Sequence, residues 1–200
     1  MKDRYSFIAP IYSLLVKLVF GTDLKKSKLV FISKLRTKKL LIVGGGDGLD
    51  YRDFESDLNG EYWELSPLML RKANDCLRDS QLIFQLGQLN PEPPRKFDEI
   101  WLHFVLDTML DAEMEAFLLT LKKVLKVNGC IYLCDFFQPQ SYIQQILHWL
   151  MITFFRIATR HPRKDVPDYS TILKKLGFQQ EKNFNWRRGW IRSQLWKVKI

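Results

Sequence analysis

The chain has 200 residues, 46% of them hydrophobic, and a formal net charge of +9. That length suits one domain with a substantial core, and the apolar fraction excludes a disordered chain. Cys76, Cys130 and Cys134 stand in no metal-ligand spacing, which argues for reduced thiols in a cytoplasmic protein, and the three histidines are too scattered for a metal centre.

Near the N-terminus, Lys2 and Arg4 ahead of an apolar stretch imitate a signal peptide, but Asp3, Pro10 and Lys17 interrupt the pattern. The segment from about 5 to 36 is therefore expected to be a helical cap. Lys25, Lys26, Lys28, Lys34, Arg36, Lys38 and Lys39 crowd its end, a basic run that suits either nucleic acid or a solvated face. Leu40 to Val43 form the continuous apolar run that a buried parallel strand requires. The glycines that follow, in "GGGDG" from Gly44 to Gly48, bring bare backbone close to a ligand at a helix N-terminus or to a helix packed on the strand. The spacing is G-x-G-x-G. Leu49 takes the third glycine of the dinucleotide fingerprint and no Gly-Lys-Ser/Thr follows, which disfavours a pyrophosphate. The next strand, near 60–64, ends in Glu64. A carboxylate at that tip can accept both hydroxyl protons of a ribose; the alternative is a surface glutamate ahead of a helix capped by Ser66.

Further strands are expected near 81–86, 97–102 and 129–135, alternating with helices near 48–58, 66–78 and 111–126, which implies a parallel sheet covered on both faces. "NPEPPRK" at 90–96 reads as a loop. From Ser141 to about 160 runs an inserted helix whose Ile143, Ile146, Leu147, Leu150, Phe154 and Ile157 recur at helical spacing. It is too short and too interrupted to span a bilayer, and it reads as a lid, a wall for an apolar substrate, or, over 141–164, a peripheral membrane or homodimer contact. After Gly177 two strand-like stretches joined by Arg187, Arg188 and Gly189 form an antiparallel hairpin. Ligands of such sheets sit beyond the carboxyl ends of the strands. His103 is there the best-placed general base, because imidazole titrates near neutrality, although a histidine that only shapes a pocket fits as well. Asp107 and Asp135 either orient a hydroxyl or cap the turns that follow them.

"LLIVGGGDG" followed by "ELSPLMLRKA" resembles the first two motifs of class I S-adenosylmethionine-dependent methyltransferases, especially the branch of small-molecule and quinone-biosynthesis enzymes. "FDEIWLHFVLD" is similar to that family's fourth strand, "LKKVLKVNGCIYLCDF" to its fifth helix and strand, and "YSFIAPIYSLLVKLVFG" to its N-terminal covering helix. The resemblance implies an α/β fold, a Rossmann-like seven-stranded mostly parallel sheet with helices on both faces, an antiparallel C-terminal hairpin and an N-terminal covering helix, in one domain over 1–200. It implies S-adenosylmethionine as cofactor and carries cofactor contacts over to Tyr12, Gly44, Gly45, Gly46, Asp47, Gly48, Glu64, Leu65, Ser66, Met69, Gln88, Leu89, His103 and Phe104. His103 is also the catalytic candidate. Two positions depart from the family: Ile42 stands where an acidic residue is frequent, and Gly87-Gln88 replaces a Gly-Asp pair, although a glutamine amide still accepts a hydrogen bond. The activity implied is methyl transfer to a small apolar or aromatic metabolite by in-line displacement. The alternatives are an RNA or other nucleic-acid methyltransferase and a catalytically silent S-adenosylmethionine-binding protein. "HFVLD" lacks the Asn/Asp-Pro-Pro-aromatic motif of amino-methylating nucleic-acid enzymes.

Overall fold

The computed structural model describes residues 20–32, 35–89, 96–159, 163 and 165–199. The expected covering helix ahead of Phe20, with Tyr12 on it, and most of the 90–96 loop lie outside the described residues. Strands β1 (Leu40–Val43), β2 (Asn59–Glu64), β3 (Gln81–Leu86), β4 (Phe97–His103), β5 (Leu125–Phe136), β6 (Phe178–Trp186) and β7 (Ile191–Val198) form one sheet in the order 3-2-1-4-5-7-6. β7 runs antiparallel to both of its neighbours, and the other pairings are parallel. The described helices are α1 (Asp23–Leu29), α2 (Pro67–Cys76), α3 (Asp111–Val124), α4 (Tyr142–Thr159) and α5 (Tyr169–Lys175).

All four residues of β1 are buried because the strand is central and covered on both faces. Leu41, Val43, Ile100, Leu102, Ile131 and Leu133 pack with Leu118 and Leu121 of α3 and Leu173 of α5. Leu40, Ile42, Trp101 and Tyr132 pack on the other side with Tyr51 and with Ala73 and Leu77 near α2. Ser66 caps α2, its hydroxyl accepting from Met69 N at 3.4 Å, with Pro67 at the first helical position.

Two elements differ from expectation, and a third resolves a facing left open. The helix near 48–58 is a 3₁₀ helix, Leu49–Asp57. Asp50, Asp53, Ser56 and Asp57 are poor helix formers, and Asp50 and Asp53 instead pair with Lys28 and Lys25 of α1 at 2.7 and 2.8 Å. Helix α3 ends at Val124 and β5 begins at once, four residues earlier than expected, because Leu125 turns extended and buries its side chain under Gly129, where a Cβ would stand 2.7 Å from Leu125 Cδ1. Helix α4 has the expected position, and of the facings left open it takes this one: Ile143, Ile146 and Leu150 are exposed, whereas Gln144, Leu147 and His148 turn toward the protein. Its start is a reciprocal capping box, with Gln144 N bonded to Ser141 Oγ and Ser141 N to Gln144 Oε1, both at 3.3 Å.

The β1–β2 pairing depends on Gly60, opposite Leu40, which adopts φ +140. A Cβ there would overlap the Leu40 carbonyl oxygen. Gly60→Ala is therefore expected to destabilise the fold by about 2 kcal/mol or more, through combined backbone strain and clash, read as a lower urea midpoint by circular dichroism.

Candidate active site

The strand order reverses between β1 and β4, so a crevice opens beyond their carboxyl ends, where open α/β sheets bind ligands. The glycine loop forms one wall, and its glycines have different causes. A Cβ on Gly44 would lie 2.7 Å from Val105 Cγ2, one on Gly45 would overlap the Tyr62 ring, and one on Gly48 would come within 3.2 Å of the Ala73 backbone. These three are glycine because the fold packs against them. Gly46, at φ +72, has nothing among the described residues within 4 Å of where its Cβ would be. Its left-handed backbone accounts for the glycine, and the space beside it leaves the backbone open to close approach.

β2 holds that loop in shape. Gly44 N donates to Trp63 O at 2.8 Å, Tyr62 Oη donates to Gly46 O at 3.0 Å, and Gly46 N donates to Glu64 Oε2 at 3.1 Å. Glu64 Oε1 accepts from Ser66 N at 2.9 Å. The carboxylate thus bridges the loop and the start of α2. Asp47 Oδ1 accepts from Leu49 N at 3.2 Å, a local Asx turn. Gly87 N donates to Glu64 O at 3.0 Å and brings the end of β3 alongside. Gln88 and Leu65 are exposed, while Leu89 packs with the α3-side core, so Leu89 sits apart from the loop contacts of its neighbours.

His103 closes β4 and is buried. Its Nδ1 shares a 2.8 Å hydrogen bond with Tyr51 Oη, and its ring stacks on Trp101 at 5.8 Å between centroids. Burial first, and then the charge of Lys28, holds its pKa well below the ordinary value, so the imidazole is neutral. Phe104 follows at φ 58, against Phe136 at 5.0 Å and beneath Lys28 Nζ at 5.6 Å from its centroid. A positive φ on a bulky residue is a strained turn of the kind found at ligand sites. Asp135 takes the capping role: it accepts from the backbone N–H groups of Leu106, Asp107 and Phe136 at 3.1, 3.3 and 2.8 Å and so pins the loop after β4. Burial pushes the Asp107 carboxyl up to about 6, and its Oδ1 is buried without a hydrogen-bond partner. Burial, and next the Asp107 charge, raises Asp135 as well.

Tyr51 and Tyr62, which shape the loop and His103, are absent from the sequence-based candidates. Tyr62 stands two residues before Glu64, on the same side of β2, and that spacing is the signal that could have identified it. A cavity of about 720 Å³ opens elsewhere, at the amino ends of β1, β4 and β5, lined among others by Lys38, Asp98, Glu99, Lys126 and Lys197. It is remote from the crevice. Among the described residues no cluster of three or more metal-ligating side chains occurs.

The depressed His103 pKa has a definite sign. The unfolded chain binds the proton more readily, so the stability contributed is whole above the unfolded value of 6.5 and is lost as pH falls below it toward the folded value. The His103 ring resonance is expected to keep its neutral position at pH 6. The stability difference between wild type and His103→Gln should shrink from pH 7.5 to pH 5.5, measured by urea unfolding.

No family model matches the chain. It is 26% identical over 173 residues to a demethylmenaquinone methyltransferase of Tropheryma whipplei (strain Twist), covering 76% of this chain and 69% of that protein. The fold matches a structure described as a complex between the Haloferax volcanii Trm112 methyltransferase activator and a methyltransferase, with TM-score 0.70, 13% identity and coverage of 100% of this chain and 98% of that one. It also matches the mitomycin 7-O-methyltransferase MmcR with TM-score 0.69 and 14% identity, over 95% of this chain, and the chain spans only 58% of that protein's length. The sheet order, the reversed β7, the glycine loop answered by Glu64, and these likenesses converge: the chain has the fold of class I S-adenosylmethionine-dependent methyltransferases and is similar in sequence to a quinone-biosynthesis enzyme of that class.

Proposed function

We propose that the chain acts as a single domain, with a helical cap over about 5–36 and an inserted helix over 141–160, and that it binds S-adenosylmethionine in the crevice between the glycine loop and the end of β4. It transfers the methyl group to a small apolar or aromatic acceptor. The observation that carries this reading is Gly46, which has open space beside it at the carboxyl end of β1 and an N–H held by the β2-terminal carboxylate, an arrangement that leaves room for a ligand. When bound, the sulfonium supplies a methyl group already activated for in-line displacement. The chain's own residues do the rest. Glu64, oriented by its two backbone donors, accepts the ribose hydroxyls. His103, held neutral, adds no positive charge next to a cationic donor. Phe104, Phe136, Leu147 and Met151 share an apolar cluster beside the crevice, which keeps water from the reacting centre and supports alignment of the acceptor. In this reading His103 shapes the pocket and no acid–base pair is required.

The relatives' names point to small acceptors, demethylmenaquinone in one and mitomycin in the other. A nucleic-acid acceptor is less well supported. Lys25, Lys28 and Lys38 are paired with Asp53, Asp50 and Glu99, so part of the basic run is neutralised within the fold.

Calorimetric titration tests the reading. The wild type is expected to bind S-adenosylmethionine or its demethylated product. Gly46→Val and Glu64→Ala should each weaken binding by about tenfold, since a lost hydrogen-bond acceptor is worth about 1–3 kcal/mol and a branched side chain at φ +72 fills the open space. Absence of binding at millimolar ligand, or a preference for NAD, overturns it.

A further inference from the structure

A surface helix facing water turns its apolar residues inward and its polar ones outward; α4 has apolar residues on both sides. On the inner side, Gln144 Nε2 donates to Arg187 O at 2.8 Å, Trp190 Nε1 meets His148 Nδ1 at 3.5 Å, and Leu147 and Met151 join the cluster of Phe136 and Trp190. On the outer side stand Tyr142, Ile143, Ile146, Trp149 and Leu150, exposed by 77%, 70%, 45%, 63% and 51%. At about 100° per residue these five fall within an arc of about 120°, so they form one face.

We propose that this face docks on an anionic lipid surface. The helix lies on the bilayer, since among the described residues none is long and apolar enough to cross one. Tyr142 and Trp149 have the amphipathic rings that settle at the boundary between headgroup and chain. Basic residues outnumber acidic ones in and beside this segment. From Phe136 to Lys164 the sequence contains no acidic residue, while Arg156, Arg160 and Lys164 follow the exposed turns. The turn that α4 packs against adds the exposed Arg187 and Arg188, of which Arg187 is paired with Asp23. A second copy docking through the same face would set this basic apolar surface against itself, bringing like charges together. A bilayer with anionic headgroups offers apolar chains and opposite charge at once. The inference is independent of the cofactor.

Sedimentation with vesicles tests it. The wild-type chain is expected to co-sediment with vesicles of phosphatidylglycerol and phosphatidylcholine in equal parts, and weakly with phosphatidylcholine alone or at high salt. The double variant Ile146→Glu/Trp149→Glu should lose about tenfold or more in vesicle affinity with its melting temperature unchanged, and Ile143→Glu should lose affinity in the same way. The proposal is overturned if the wild type ignores the mixed vesicles, if the double variant binds them equally well, or if analytical ultracentrifugation finds a wild-type dimer that the same substitutions dissociate.

Discussion

Both peptide groups of Gly46 are held by side chains from one face of β2: its carbonyl oxygen accepts from Tyr62 Oη and its N–H donates to Glu64. Buried backbone polar groups need partners, and a loop crossing the end of a parallel sheet has no neighbouring strand to provide them. Two residues spaced by the strand period do so here. The same Tyr62 ring leaves no room for a side chain at Gly45. The loop therefore has its shape before any ligand arrives, and Glu64, which also holds Ser66 N, is oriented by the same contacts. Preorganisation of this kind spares a ligand the entropy of ordering its own site.

The floor of the crevice is built to stay uncharged. His103 is enclosed by Tyr51 and Trp101, and α1 closes that side through Ser27, whose hydroxyl accepts from Cys134 Sγ at 3.2 Å and whose carbonyl accepts from Ser193 Oγ at 2.6 Å. Burial pushes the Cys134 thiol up to about 12. Lys28, the cation nearest Phe104, is paired with Asp50. A neutral imidazole among aromatic rings, with the oriented Glu64 carboxylate at the rim, suits a ligand that is itself cationic.

The apolar cluster of Phe20, Phe136, Trp190 and Ile191 connects two regions that are far apart in sequence. Phe104 enters it from the end of β4, and Leu147 and Met151 enter it from the inner side of α4. Side chains packed this closely do not move independently. Whatever covers the outer face of α4 thus bears on the wall beside the crevice through a single layer of side chains.

Several features were legible in the sequence because they depend on local chemistry. The all-apolar β1, the glycine loop, the Ser66–Pro67 helix start and the hairpin around Arg187–Gly189 each follow from residue types at short spacing, and the structure has all of them. Family resemblance added the seven-stranded order. The distinction among the glycines was not legible: Gly44, Gly45 and Gly48 answer to Val105, Tyr62 and Ala73, which come from other strands and helices, and only their absence around Gly46 marks it as different. Nor was the state of His103, because its neutrality comes from burial beneath Tyr51, a residue 52 positions away in the chain. The facing of α4 shows the limit most plainly. Periodicity established a helix with a wide apolar surface, but a helix carries no information about which side meets the protein; the packing partners at Arg187 and Trp190 decided that, by taking Gln144, Leu147 and His148 inward and leaving Ile143, Ile146 and Leu150 outside.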